Sequence, residues 1–159
     1  MTMHIVFSVA DVEYAVPVAS VLQLESYTGA TLVPGAENYV AGVVTLRGRV
    51  IPVVDLRRRF GLPDSAVTID SRIVVVSWEG RVVALRVDLA REVVKLDDTQ
   101  HQPAPSVVSE RSAGFIHAVH PMGNRLLLLL DLSKVLGDTQ HDDTSSPQLD
   151  DKRRPALPA

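Results

Sequence analysis

Two aspartates stand at matched points of the chain, each followed by leucine: Asp55 in "PVVDLRRRFG" and Asp131 in "LLLDLSKVLG". Paired carboxylates are the equipment of acid–base hydrolysis, one holding a proton while the other activates water. That chemistry needs the two groups to converge in one pocket. An aspartate where a strand gives way to a helical turn has a structural use instead, accepting hydrogen bonds from the free N–H groups of the first turn. Capping is the sufficient reading of both. The five histidines are His4, His101, His117, His120 and His141. Only His117 and His120, in "HAVH", lie close in sequence, and on a strand that spacing sends them to opposite faces, with one at the surface rather than paired on a metal. Arg57, Arg58 and Arg59 form a local basic cluster, read as the solvated face of a short helix that an acidic partner could meet. The chain has no cysteine, which removes disulfides, thiolate zinc sites and cysteine nucleophiles. No G-x-S-x-G elbow or phosphate-cradling glycine loop occurs. The reactive residue types therefore assemble no catalytic set and imply no metal or cofactor.

The elements that would position these residues read as strands. Valine and leucine fall in short runs punctuated by glycine, proline and aspartate, giving strands at 3–10, 13–16, 21–26, 41–46, 50–54, 72–78, 81–87, 92–95, 113–119 and 125–130. So many short apolar strands suit small closed barrels, which leave no sheet edge. Helical turns are expected from Pro17 and after Asp55 and Asp131. The run Leu126–Leu130 reads as a strand buried on both faces, and a charge at Leu128 is expected to unfold it. From Asp138 the chain fills with Asp, Ser, Pro and Gln, too polar to order itself, and is expected to be a mobile tail over 138–159. With 159 residues, 46% hydrophobic and 22% charged, the chain makes one domain or two small ones sharing a core. A net charge of −3 and 4% aromatic residues do not provide the basic stripe and stacking rings of a nucleic-acid binder. The N-terminus lacks a basic region followed by a long apolar run, and the longest apolar run falls far short of the roughly 20 residues that span a bilayer. A cytoplasmic protein without direct membrane insertion is expected.

The two halves resemble each other. "GRVIPVVDLRRRFG" at Gly48 and "NRLLLLLDLSKVLG" at Asn124 align without gaps, matching Arg49 to Arg125, Asp55 to Asp131 and Gly61 to Gly137. "YVAGVV" at Tyr39 meets "FIHAVH" at Phe115 in the same register, and "EYAVPV" at Glu13 faces "VVALRV" at Val82. A duplicated unit of about 70 residues, each ending in strand-Asp-Leu-helix, accounts for all three matches.

The segment "VPGAENYVAGVVTLRGRVIPVVDLRRRFGLP" contains a hairpin whose turn falls at Arg47-Gly48, where glycine admits positive φ. Pro52 cannot donate to a ladder, so it marks an edge or a bulge. This segment closely resembles the signature of the CheW family of chemotaxis coupling proteins. The resemblance runs from about Ile5 to Leu136 and takes in "EYAVPVASVLQL", "VVALRVDLAREVV" and "LLLLLDLSKVL". It implies an all-β fold of two intertwined SH3-like five-stranded barrels with short helical turns and a short C-terminal helix. On that template residues 1–137 form one domain. The first barrel takes roughly 17–70 plus the helix 131–137, the second roughly 3–12 plus 72–130.

The resemblance also implies a non-catalytic adaptor that joins the cytoplasmic tips of chemoreceptors to the regulatory domain of the histidine kinase CheA in membrane-associated arrays. Carried over by position, the receptor-facing groove would include Val21, Arg47, Gly48 and Ile73; the kinase contact is not assigned to residues. On composition alone Val21 and Ile73 are plain core residues, and Gly48 serves the turn. Ala15 and Ala118 stand where the family usually has glycine, and Glu25-Ser26 replaces its Arg-Gly pair. Those departures point to an alternative, a paralogue that serves another chemosensory pathway or occupies arrays without activating the kinase.

Overall fold

The structure, a computed structural model, describes residues 1–105 and 114–137. The expected tail at 138–159 lies outside the described residues. Among the described residues there are ten strands: β1 (Thr2–Val9), β2 (Val12–Pro17), β3 (Val21–Ser26), β4 (Val40–Leu46), β5 (Arg49–Asp55), β6 (Arg72–Trp78), β7 (Arg81–Val87), β8 (Leu89–Leu96), β9 (Ile116–Met122) and β10 (Arg125–Leu130). Short helices follow β5 and β10, α1 (Leu56–Arg59) and α2 (Leu132–Leu136), and single 3-10 turns span Val18–Ser20 and Asp98–Gln100. The turn expected from Pro17 thus starts one residue later, with Pro17 itself extended.

Strands β8-β1-β2-β10-β9 form one five-stranded sheet and β3-β6-β7-β5-β4 the other. The division expected from the resemblance is corrected here. The hairpin of β6 and β7 belongs with β3, β4 and β5, so the first barrel is built from strands within 21–87 and the second from 2–17 together with 89–96 and 116–130. In terms of the duplication, each half gives its first hairpin to the barrel completed by the other half. The reason lies in the faces of those hairpins. Along β1, Val6 points into its own barrel beside Ala15, Leu127 and Leu129, while Ile5, Phe7 and Val9 join a larger core between the barrels. Along β6, Ile73 and Val75 point inward, while Val74 and Val76 join that same junction. Both faces are removed from water, which is why these strands read as unbroken apolar runs. An aromatic chain, Phe7, Tyr14, Phe60 and Phe115, crosses the junction with centroid spacings of 6.0, 5.1 and 5.5 Å.

The duplication extends to backbone hydrogen bonding. The parallel pair Val53↔Ala84 recurs as Leu129↔Ala15. The bond from the Asp55 N–H to the Tyr39 carbonyl recurs from Asp131 to Phe115. Each barrel closes where the chain beyond its edge strand crosses to the opposite edge, at Thr31↔Val43 and at Gln102↔Val119. Gly42 permits the first closure, since a Cβ there would collide with the Thr31 carbonyl.

Pro52 is corrected from an edge to an interior strand, because β5 lies between β4 and β7. Val43, its partner on β4, exchanges both backbone bonds with Thr31, so neither Val43 nor Pro52 needs an N–H toward the other. On its other side, pairing to β7 begins only at Val53. The leucine run also departs from its expectation at one end: Leu126 is 47% exposed, whereas Leu127, Leu129 and Leu130 are buried and Leu128 packs half-buried at the junction.

Candidate functional site

The hairpin of β4 and β5 turns through two residues, Arg47 and Gly48, at φ of 51° and 77°. Two positive φ values are the requirement of a type I′ turn, whose twist matches that of the flanking strands. Glycine meets it freely, but an L-residue such as Arg47 does so at a cost of roughly 1–2 kcal/mol. Asparagine or glycine is the ordinary occupant of that position. Arg47 is exposed, and among the described residues it has no hydrogen-bond or ion-pair partner. Its counterpart in the second copy is Gly123, at φ 64°. The presented cation therefore belongs to the first copy alone.

A cleft of about 530 Å³ opens at the mouth of the first barrel beside this turn, lined by Ser26 to Thr31, Val43 to Leu46 and Ile73. Ile73 forms its floor and is only 1% exposed. Val21 lies elsewhere: it pairs with Val76, is half-buried and packs on the junction core. Ile73 thus lines the cleft, Arg47 and Gly48 follow directly on its lining residue Leu46, and Val21 is on the other face of the sheet. A second groove, about 680 Å³, lies along the outer face of the first barrel, lined by Val33, Val40, Val43, Pro52, Val54 and Val82 among others.

The two aspartates cap separate helices and share no partner. Asp55 accepts from the Arg57 and Arg58 N–H groups and from the Arg86 guanidinium at 3.1 Å. Asp131 accepts from the Ser133 and Lys134 N–H groups and from the Ser133 hydroxyl at 2.6 Å. The arginines after Asp55 are not a bare solvated face. Arg57 makes a forked pair with Asp88 at 2.7 Å, which holds that carboxyl below its ordinary range against the opposing effect of burial. Arg58 pairs with Asp64 at 3.2 Å. Arg59 donates to the Val135 and Lys134 carbonyls at the end of α2, at 2.7 and 3.0 Å, with its guanidinium over the Tyr39 and Phe115 rings.

His117 is exposed and His120 buried, the opposite faces that their spacing demands. What the spacing did not show is that His120 meets His101 edge-on at 5.0 Å, and His101 meets His4 at 6.1 Å. His101 Nε2 and His120 Nδ1 are buried without a hydrogen-bond partner. Burial chiefly, then the charge of His120, pushes the His101 imidazole below its ordinary value, with Asp98 opposing. Among the described residues no helix is long and apolar enough to cross a membrane.

A duplicated pair of small barrels, with its reactive side chains spent on caps and ion pairs and one hairpin left displayed, is the architecture of a protein-binding module. A model of the CheW-like domain matches residues 4–140, and the chain belongs to that family of chemotaxis coupling proteins. It is 37% identical over 132 residues to the chemotaxis protein CheW of Bacillus subtilis, covering 83% of this chain and 85% of that one. It is 33% identical over 138 residues to CheW of Rhizobium meliloti, covering 87% and 89%. Among solved structures, the scaffolding protein TtCheW from Thermoanaerobacter tengcongensis superposes with a TM-score of 0.78 at 28% identity, over 86% of this chain and 88% of that one. The fold expected from the resemblance, two five-stranded SH3-like barrels, is thereby established.

Proposed function

We propose that this chemotaxis adaptor joins the cytoplasmic tips of chemoreceptors to the regulatory domain of the histidine kinase CheA, without catalysis of its own, in the cytoplasm at receptor arrays. The observation that carries the reading is Arg47, held exposed and, among the described residues, unpartnered, in a conformation that costs an L-residue free energy. Ala10, Asp11 and Glu79 also hold positive φ, so what sets Arg47 apart is a displayed cation with no partner of its own among the described residues, available to a partner outside the chain. A receptor tip is a helical bundle, and the planar fork of Arg47 suits a helix carbonyl or carboxylate while the cleft above Ile73 accepts an apolar side chain. Gly48 lets that turn form. Val21, on the junction side of the sheet, would contribute through the groove between the barrels.

The alternative, a paralogue with another output, is favoured by Glu25, whose carboxylate is held by the Gln23 amide at 2.7 Å where the family usually has Arg-Gly. A pull-down with a receptor tip and the kinase regulatory domain tests the reading, comparing wild type with Arg47→Glu and Val21→Lys. Loss of receptor capture by either folded variant supports the groove. Capture unchanged in both overturns it.

A further inference from the structure

The second copy shows what an arginine at the start of the returning strand is built to hold. Arg125 donates to Glu13 at 2.7 Å and to Glu92 at 2.6 Å, at the mouth of the second barrel. Its counterpart in the first copy is Arg49. The ladders fix the other equivalences without adjustment. Ala15↔Leu129 corresponds to Ala84↔Val53, which puts Val82 in the place of Glu13. Val6↔Glu92 corresponds to Val75↔Gln23, with the bulge beside it repeated, which puts Gln23 in the place of Glu92. Both carboxylates are therefore missing from the first barrel. Gln23 turns its amide to Glu25 instead. Arg49 is exposed and, among the described residues, has no hydrogen-bond or ion-pair partner.

Alternation along β5 puts Arg49 on the same face as Ile51 and Val53, whose side chains fill the first barrel, at the first residue of the strand. Arg47 stands two residues away on the same hairpin. We infer that Arg49, with Arg47, seats a pair of carboxylates carried by the receptor's helical tip, replacing from outside the glutamates that the second barrel supplies to Arg125 from within. This deepens the proposed function and rests on it. An aspartate or glutamate pair one turn apart on a helix offers the matching charge.

The internal copy also supplies the test. Gln23→Glu with Val82→Glu gives Arg49 the carboxylates that Arg125 already has, and Arg49→Ala removes the cation with little demand on the fold. Binding of a purified receptor cytoplasmic fragment, and separately of the kinase regulatory domain, is measured for the full chain and for both variants at low and moderate salt. Each variant is expected to weaken receptor binding about tenfold, and the difference from wild type is expected to shrink as salt rises. Receptor binding by Arg49→Ala within about twofold of wild type overturns the inference, and so does a loss confined to the kinase regulatory domain. The single variant decides the matter even if the double one does not fold. Wild type that binds neither fragment overturns the adaptor reading itself, which separates the two failures.

Discussion

Asp55 and Asp131 hold equivalent positions, yet more depends on the first. Asp55 is 2% exposed and bonded to Arg86, which is itself buried and, among the described residues, has only the Ser65 carbonyl and the Tyr27 ring besides. Removing that carboxylate strands a buried cation, which costs about 3–5 kcal/mol in comparable sites. Asp131 is half-buried and only caps, and the position matching Arg86 is Pro17. Loss of a cap costs about 1 kcal/mol. Chemical denaturation of Asp55→Ala and Asp131→Ala is expected to separate them in that order; equal losses would contradict the account. Both caps were legible in the sequence, because Asp-Leu at a strand end carries its own reason. The pair with Arg86 was not, since it arises from the parallel register of Asp55 against Arg86, set by strands far apart in the chain. Arg59 was hidden for the same reason: its partners are carbonyls of α2, in the other half.

Among the elements, the ten strands were legible from short valine and leucine runs, and both helices from their caps. The exchange of hairpins was not, because an apolar strand buried on both faces carries no mark of which barrel its inner face belongs to. His4, on β1, His120, on β9, and His101, after the second 3-10 turn, meet only once those elements share a barrel. Their meeting carries a pH dependence. Burial and the neighbouring histidines hold His101 below its ordinary value in the folded protein, so the unfolded chain binds the proton first as pH falls. Stability is then full above about pH 6.5 and is lost as pH falls through and below it. Urea unfolding at about pH 7.5 and about pH 5.5 is expected to show a lower midpoint in acid, and a smaller difference in His101→Asn. Midpoints independent of pH would contradict this reading of the cluster.

For the whole molecule, the largest core lies between the barrels and not inside either. Although residues 21–87 form a continuous barrel, one side of it, with Val74, Val76, Leu85 and Val87, is covered only by the other. The two are therefore expected to unfold together. Trp78, the single tryptophan, packs at that junction, so its fluorescence and the far-ultraviolet circular dichroism of all strands should trace one transition. Separate midpoints would show the barrels to be independent. The displayed Arg47 was legible from its turn, and the family from a long mixed-chemistry signature. The missing carboxylates around Arg49 became visible only when one barrel could be read against the other.

If this chain physically joins receptor to kinase, kinase should follow the receptor only when the chain is present. Membranes bearing the receptor are sedimented with purified CheA, with and without the chain, and with its Arg47→Glu variant. Kinase in the pellet that depends on wild-type chain, and falls sharply with the variant, is the predicted result. Kinase that pellets equally in all three cases, or in none, would contradict it.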